Sequence, residues 1–142
     1  MRFAKEWFRV ITPLGKIVYR PVLVLEIKEK TKIEEYRFIV DSGADISLMS
    51  KYVANRIGID WEKGKKTELR GISQKKECLV EGRIHEINVI VPDIKLEIQI
   101  PICFVDGNAP FLLGREGFFD YFRVIFEKVK LRTVFELTEN EK

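Results

Sequence analysis

Cysteine and histidine are nearly absent. The 142 residues hold two cysteines, Cys78 and Cys103, and one histidine, His85. They form no CxxC pair and no Cys/His cluster, which excludes a structural zinc site and a disulfide framework. Two free thiols in a reducing cytosol are the default reading, with a single disulfide as the alternative. A lone histidine on a strand face is read as structural or surface, not catalytic. No apolar run approaches the roughly 18 residues of a membrane helix. The opening Met1-Arg2-Phe3-Ala4-Lys5-Glu6 lacks the apolar core of a signal peptide. The expectations are therefore no membrane partner and a cytoplasmic location. No GxxxxGK[ST] or GxGxxG occurs, so no phosphate-cradling loop is expected. Charge of one sign is also missing: the net charge is +3, with Lys and Glu mixed along the chain. Lys63, Lys65, Lys66, Lys75 and Lys76 read as a solvated face, and no nucleic-acid partner is expected.

What remains is a chain of one-domain length. Its apolar fraction is 46% and its charged fraction 33%, as in soluble globular proteins. Short apolar stretches are separated by turn residues. Trp7 to Thr12 reads as a first strand and Ile17 to Lys28 as a second, with Pro21 marking an edge or bulge. Glu34 to Val40 returns as the partner strand of a hairpin. Ser50 reads as the N-cap of a short helix over 52–57, stopped by Gly58. Residues 60–66 read as a loop. Glu68 to Ile72 and Glu77 to Val80 form a second hairpin with the polar tip Ser73-Gln74-Lys75-Lys76. Strands follow over 82–91 and 96–102, the latter alternating cleanly, with Pro101 requiring an edge or a strand end. A short helix over 116–122 carries Phe118, Phe119 and Phe122, and a last hairpin spans 123–137. The fold class expected is all-β, mostly antiparallel, with one or two short helices, closer to a barrel or folded sandwich than to a βαβ fold. One domain covers 1–142, with an N-terminal extension or strand over 1–16 and a frayed tail at 138–142.

Two stretches carry chemistry. The first is Phe38-Ile39-Val40-Asp41-Ser42-Gly43-Ala44-Asp45-Ile46-Ser47, an apolar strand running into an acid, a hydroxyl and a glycine. Alone it fits an ordinary turn as well as an active site, because Asp, Ser and Gly are all turn residues. The second, about seventy residues on, is Phe111-Leu112-Leu113-Gly114-Arg115-Glu116-Gly117-Phe118-Phe119. Together, and with a hairpin between them, they resemble the retropepsin-like aspartic proteases, the family of the retroviral proteases. The run from Gly117 to Phe126 resembles small archaeal and bacterial members. The resemblance covers roughly residues 17–137.

The resemblance implies a retropepsin-like barrel and an aspartic endopeptidase without a cofactor or metal. Asp41 would be the catalytic acid. Peptide hydrolysis by water needs a base for the water and an acid for the carbonyl oxygen. Two carboxyls about 3 Å apart do both by sharing one proton. The chain holds one Asp-Ser-Gly, and Asp106-Gly107-Asn108 is not a second copy. The resemblance therefore implies a homodimer in which Asp41 of a second chain completes the pair. Ser42 would bond across the pair, and Gly43, Ala44 and Asp45 would line the substrate, an extended peptide or unfolded protein. Asp45 would pair with Arg115 to brace the loop. Gly71, Ile72 and Ser73 would belong to a flap closing over the peptide. Serine stands where threonine is commoner, the flap tip is poor in glycine, and the hairpin over 126–137 extends the C-terminus. In viral members terminal strands build the dimer sheet, so the dimer contact here is expected to differ. Two other readings stay open: a catalytically silent dimeric peptide-binding or scaffolding domain of the same fold, and an unrelated small β-barrel that binds nucleic acid. The intact Asp41-Ser42-Gly43 disfavours the first, and the mixed charge disfavours the second.

Overall fold

Alternating apolar and polar residues build twelve strands among the described residues. The computed structural model describes residues 1–70 and 79–138. In chain order the elements are β1 (Arg2–Glu6), β2 (Phe8–Ile11), β3 (Ile17–Arg20), β4 (Val22–Lys28), β5 (Ile33–Val40) and β6 (Ser47–Ser50). Helix α1 (Lys51–Arg56) follows, then β7 (Lys65–Arg70), β8 (Leu79–Val91), β9 (Leu96–Val105) and β10 (Leu112–Leu113). Helix α2 (Phe118–Tyr121), β11 (Phe122–Glu127) and β12 (Arg132–Leu137) complete the chain. The main sheet has seven strands in the order β4-β5-β10-β6-β9-β8-β7. It curls back on itself where Glu26 of β4 meets Ile90 of β8, so the expected barrel is only partly closed. The mostly-β fold class read from the sequence is the one observed.

The inward faces of this sheet make the core. In β4, Leu23, Leu25 and Ile27 are buried at every second position; in β9, Ile98, Ile100 and Ile102 do the same. Period-two burial of this kind fixes register, because a slip of one residue would turn the apolar set outward. Under one end of the sheet Phe118, Phe122 and Phe135 are fully packed. Phe118 stacks on Phe122 with centroids 5.0 Å apart and meets Phe135 edge-on at 6.1 Å.

Several local readings need correction. The N-terminal stretch holds two strands, not one: β1 pairs with β12 from Arg2↔Glu136 to Glu6↔Arg132, and β2 forms a separate hairpin with β3. The long strand expected over 17–28 is broken at Pro21, whose ring offers no N–H to a ladder. The loop expected at 60–66 is a turn of 3₁₀ helix over Trp61–Lys63 followed by the start of β7. Ser50 precedes α1, but its side chain makes no cap bond to the helix. Its hydroxyl instead accepts from the Ala109 N–H at 3.2 Å.

Pro101 lies inside β9. It stands opposite Glu86 of β8, while β6 takes up the other side of β9 only from Ile102 onward. Residue 101 is thus an edge position on that side, as a proline requires. The C-terminal hairpin β11–β12 forms a three-stranded sheet with β1 in the order β1-β12-β11. Thr138 donates from its N–H to the Tyr121 carbonyl; 139–142 lie outside the described residues.

His85 is half-buried, with Nε2 at 3.0 Å from the Trp61 carbonyl. Cys103 is fully buried, and burial pushes its thiol up to about 11. The thiol is therefore neutral and unreactive in the fold. Its ionisation is easier in the unfolded chain, so its contribution to stability is complete below pH ~8.5. That contribution is lost as the pH rises through the folded value of about 11. Denaturant unfolding of a Cys78→Ser protein is expected to show a midpoint that falls over this range, and a Cys103→Ala change is expected to flatten the fall.

Candidate active site

Everything around Asp41 is fixed by backbone. Strand β5 delivers it: Val40 is buried, and the chain leaves the sheet at the next residue. Short strand β10 lies beside β5 in parallel, with Leu112↔Ile39 and Leu113↔Val40. The Asp41 N–H donates to the Leu113 carbonyl at 3.0 Å, and the Ile39 N–H to Phe111 at 2.9 Å. On the other side the Val40 N–H donates to the Pro21 carbonyl at 2.8 Å. The strand end is therefore held from both flanks.

Beyond it the loop folds on itself. The Gly43 N–H donates to Asp41 Oδ1 at 2.9 Å, a charge-assisted bond when the carboxyl is ionised. The Ala44 N–H donates to the Asp41 carbonyl at 3.2 Å. A Cβ on Gly43 would sit 3.3 Å from Asp41 Oδ1, so a side chain there would crowd the carboxyl. Asp41 itself is part-exposed, while Ser42, Gly43 and Asp45 are exposed.

The second motif crosses directly beneath this loop. The Arg115 N–H donates to Ala44 O and the Glu116 N–H to Asp45 O, both at 2.9 Å. The Gly114 N–H donates to Ser47 Oγ at 3.0 Å within the core, and the Ser47 hydroxyl is fully buried. The loop and the motif thus bond by three backbone N–H groups in sequence. An Arg115 guanidinium nitrogen meets Asp45 Oδ1. That is a single contact in place of a bidentate fork, and both side chains are largely exposed.

The two sequence motifs, far apart in the chain, are therefore one unit. Asp41, Gly43, Ala44, Asp45 and Arg115 come together as read from the sequence, and Ser42 sits at the exposed turn. Gly71, Ile72 and Ser73 lie outside the described residues, although the stems β7 and β8 pair as far as Arg70↔Leu79. Ser47 was visible in the sequence only as a second hydroxyl after Asp45; its bond to Gly114 depends on a contact 67 residues away. Among the described residues there is no group of three or more His, Cys, Asp or Glu that could hold a metal, and no helix is long and apolar enough to cross a membrane.

The Asp45–Arg115 contact is expected to contribute little to stability. An exposed ion pair is worth about 0–1 kcal/mol, and the neighbouring backbone bonds remain when the side chain is removed. Arg115→Ala should thus shift the unfolding free energy by less than ~1 kcal/mol. A larger loss in denaturant unfolding would show that the side chain braces the loop.

Comparison with known proteins agrees with this architecture. A crystal structure of a retropepsin-like aspartic protease from Rickettsia conorii superposes with a TM-score of 0.63 at 16% sequence identity, over 94% of this chain and 98% of that one. The fold is therefore retropepsin-like. EIAV protease, solved in complex with the inhibitor HBY-793, is also similar, at 23% identity over 75% of this chain and 88% of that one, with a TM-score of 0.46. No curated protein sequence matches the chain. The profile of the family described as gag-polyprotein putative aspartyl protease matches residues 29–116, a span that begins just after β4 and runs through Asp41-Ser42-Gly43 and into the second motif as far as Glu116. The chain belongs to this aspartyl protease family.

Proposed function

We propose that the protein is an aspartic endopeptidase whose active site forms between two copies of the chain, each contributing Asp41. The observation that carries this reading is the placement of Asp41. Its backbone is bonded on both flanks, one carboxylate oxygen accepts from Gly43, and the side chain still reaches solvent. A carboxyl that only closed a turn would have no need of the crossing Gly114–Arg115 element to hold its loop.

In the dimer the two Asp41 carboxyls lie together and share one proton. The ionised one takes a proton from water, and the protonated one gives its proton to the carbonyl oxygen of the scissile peptide. The Gly43 N–H keeps each carboxyl oriented, which leaves less reorganisation for the reaction step. Ser42 bonds across the pair. Gly43, Ala44 and Asp45 line the path of an extended peptide, and Gly71, Ile72 and Ser73 belong to the flap that covers it. Asp45 with Arg115 borders the site.

One measurement tests the shared site directly. Cleavage of a peptide library is expected to rise faster than linearly with protein concentration around the dimer dissociation constant, because a single chain holds half of the acid pair. Cleavage strictly proportional to concentration in a protein that sediments as a monomer would overturn the reading.

A further inference from the structure

Among the described residues, the β2–β3 hairpin leaves one apolar face uncovered by its own fold. It is a separate two-stranded sheet, joined in register from Phe8↔Arg20 to Ile11↔Ile17. A lone hairpin of this kind is marginal in water unless a face is packed. One face holds Phe8, Val10 and Val18, all half-buried, with the Arg37 guanidinium 5.1 Å above the Phe8 ring. The other face and the tip are apolar and open: Ile11 is 64% exposed, Leu14 84%, Ile17 51% and Tyr19 40%. Scattered apolar residues on a surface are ordinary, whereas a contiguous group marks a contact. The hairpin precedes the family-matched segment, which begins at residue 29.

We infer that this hairpin is a dimerisation arm that packs on a second copy of the chain. The inference rests on the dimeric reading given above and adds where the two copies grip each other. The root of the arm decides the occupant. Pro21, one residue after β3, accepts from the N–H of Val40, so the arm leaves the body beside Asp41. In a dimer that joins the two Asp41 residues, whatever borders them borders the two-fold axis. Strands of four residues extend about 13 Å, a length suited to a contact between neighbouring copies.

Charge points the same way. Residues 7–21 carry Arg9, Lys16 and Arg20 and no acid. The rim around the site carries Glu116, which is exposed, and Asp45, whose carboxylate already meets Arg115. A basic, apolar arm beside the exposed Glu116 is complementary in sign.

Sedimentation velocity over a concentration series, with peptide cleavage measured on the same samples, tests the arm. The protein is compared with Leu14→Glu/Ile17→Glu and with Leu14→Glu alone. The tip substitution sits at a position so exposed that folding has little at stake, which keeps the test valid if the double variant does not fold. The expected result is a dimer dissociation constant raised at least about tenfold in the variants, with an unchanged circular dichroism spectrum. Cleavage lost at low concentration should return at high concentration. If the parent protein is monomeric at every concentration, the dimeric reading fails and the arm fails with it. If parent and variants dimerise alike, the arm inference alone is overturned. If the variants dimerise normally but show a raised KM, the arm contacts the peptide instead, and the inference is again overturned.

Discussion

Asp41→Asn is expected to abolish peptide hydrolysis while leaving the fold and the association of chains intact. The amide has nearly the shape of the carboxylate, and its oxygen still accepts the Gly43 N–H that now lies 2.9 Å from Oδ1. The backbone bonds from Asp41 to Leu113 and from Val40 to Pro21 do not involve the side chain. What disappears is a group that can take a proton from water and hand one to the substrate. In a dimer the loss is double, because both halves of the acid pair derive from one codon. Removal of a catalytic acid or base costs at least about 10²–10⁴-fold in rate, and in the proposed dimer both are removed together. The measurement is cleavage of a peptide library by matched amounts of folded protein, checked by circular dichroism and sedimentation. Substantial residual cleavage would mean that Asp41 is not the acid.

Gly114→Ala is expected to be the most damaging small change in the loop support. A Cβ at this position would lie 2.5 Å from the Ile46 carbonyl carbon, 2.6 Å from its oxygen and 2.8 Å from its nitrogen. All three are backbone atoms, so no side chain can rotate aside. The loop over 41–46 and strand β10 would have to separate, which strains the bonds from Arg115 to Ala44 and from Glu116 to Asp45. Overpacking of this kind costs about 1–3 kcal/mol or more. For a chain of this size that corresponds to a fall in Tm of about 3–10 °C. Cleavage per folded molecule should fall as well, because the same displacement moves the backbone on both sides of Asp41. The contrast with Arg115→Ala is informative: the next residue carries the charge, yet the smaller residue holds the geometry. Equal stability of Gly114→Ala and the parent protein would show that the loop is not packed as closely as described.

The arm and the site bear on one another. The three-stranded sheet β1-β12-β11 ties the chain's two ends together within one copy, so β1 already has its partner in β12. The arm that follows β1 begins after Trp7, whose N–H donates to Leu131 O and whose ring N–H donates to Thr133. This fixes where the arm departs from the body of the protein.

Local sequence alone determined a good deal. The alternation in 96–102 gave a strand, the break after Val40 gave a turn, and Gly58 ended a helix, because these depend on steric preferences of neighbouring residues. The resemblance carried by Asp41-Ser42-Gly43-Ala44 and Leu112-Leu113-Gly114-Arg115 pointed to the family that the profile match then showed. Sequence could not say that Ser50 faces Ala109 and not its own helix, since both are reasonable partners for a hydroxyl and only tertiary placement selects one. It could not separate β1 from β2, because a strand break at Trp7 is set by the partners on either side, Leu131 and Thr133, which lie more than 120 residues away. Nor could it assign Gly114 its role. The motif required a glycine there, but the reason is the Ile46 backbone packed against it, and that contact exists only once β10 has slid between β5 and β6. The residues of the candidate site were therefore legible in the sequence, and what binds them into one loop was decided by strand pairing across the length of the chain.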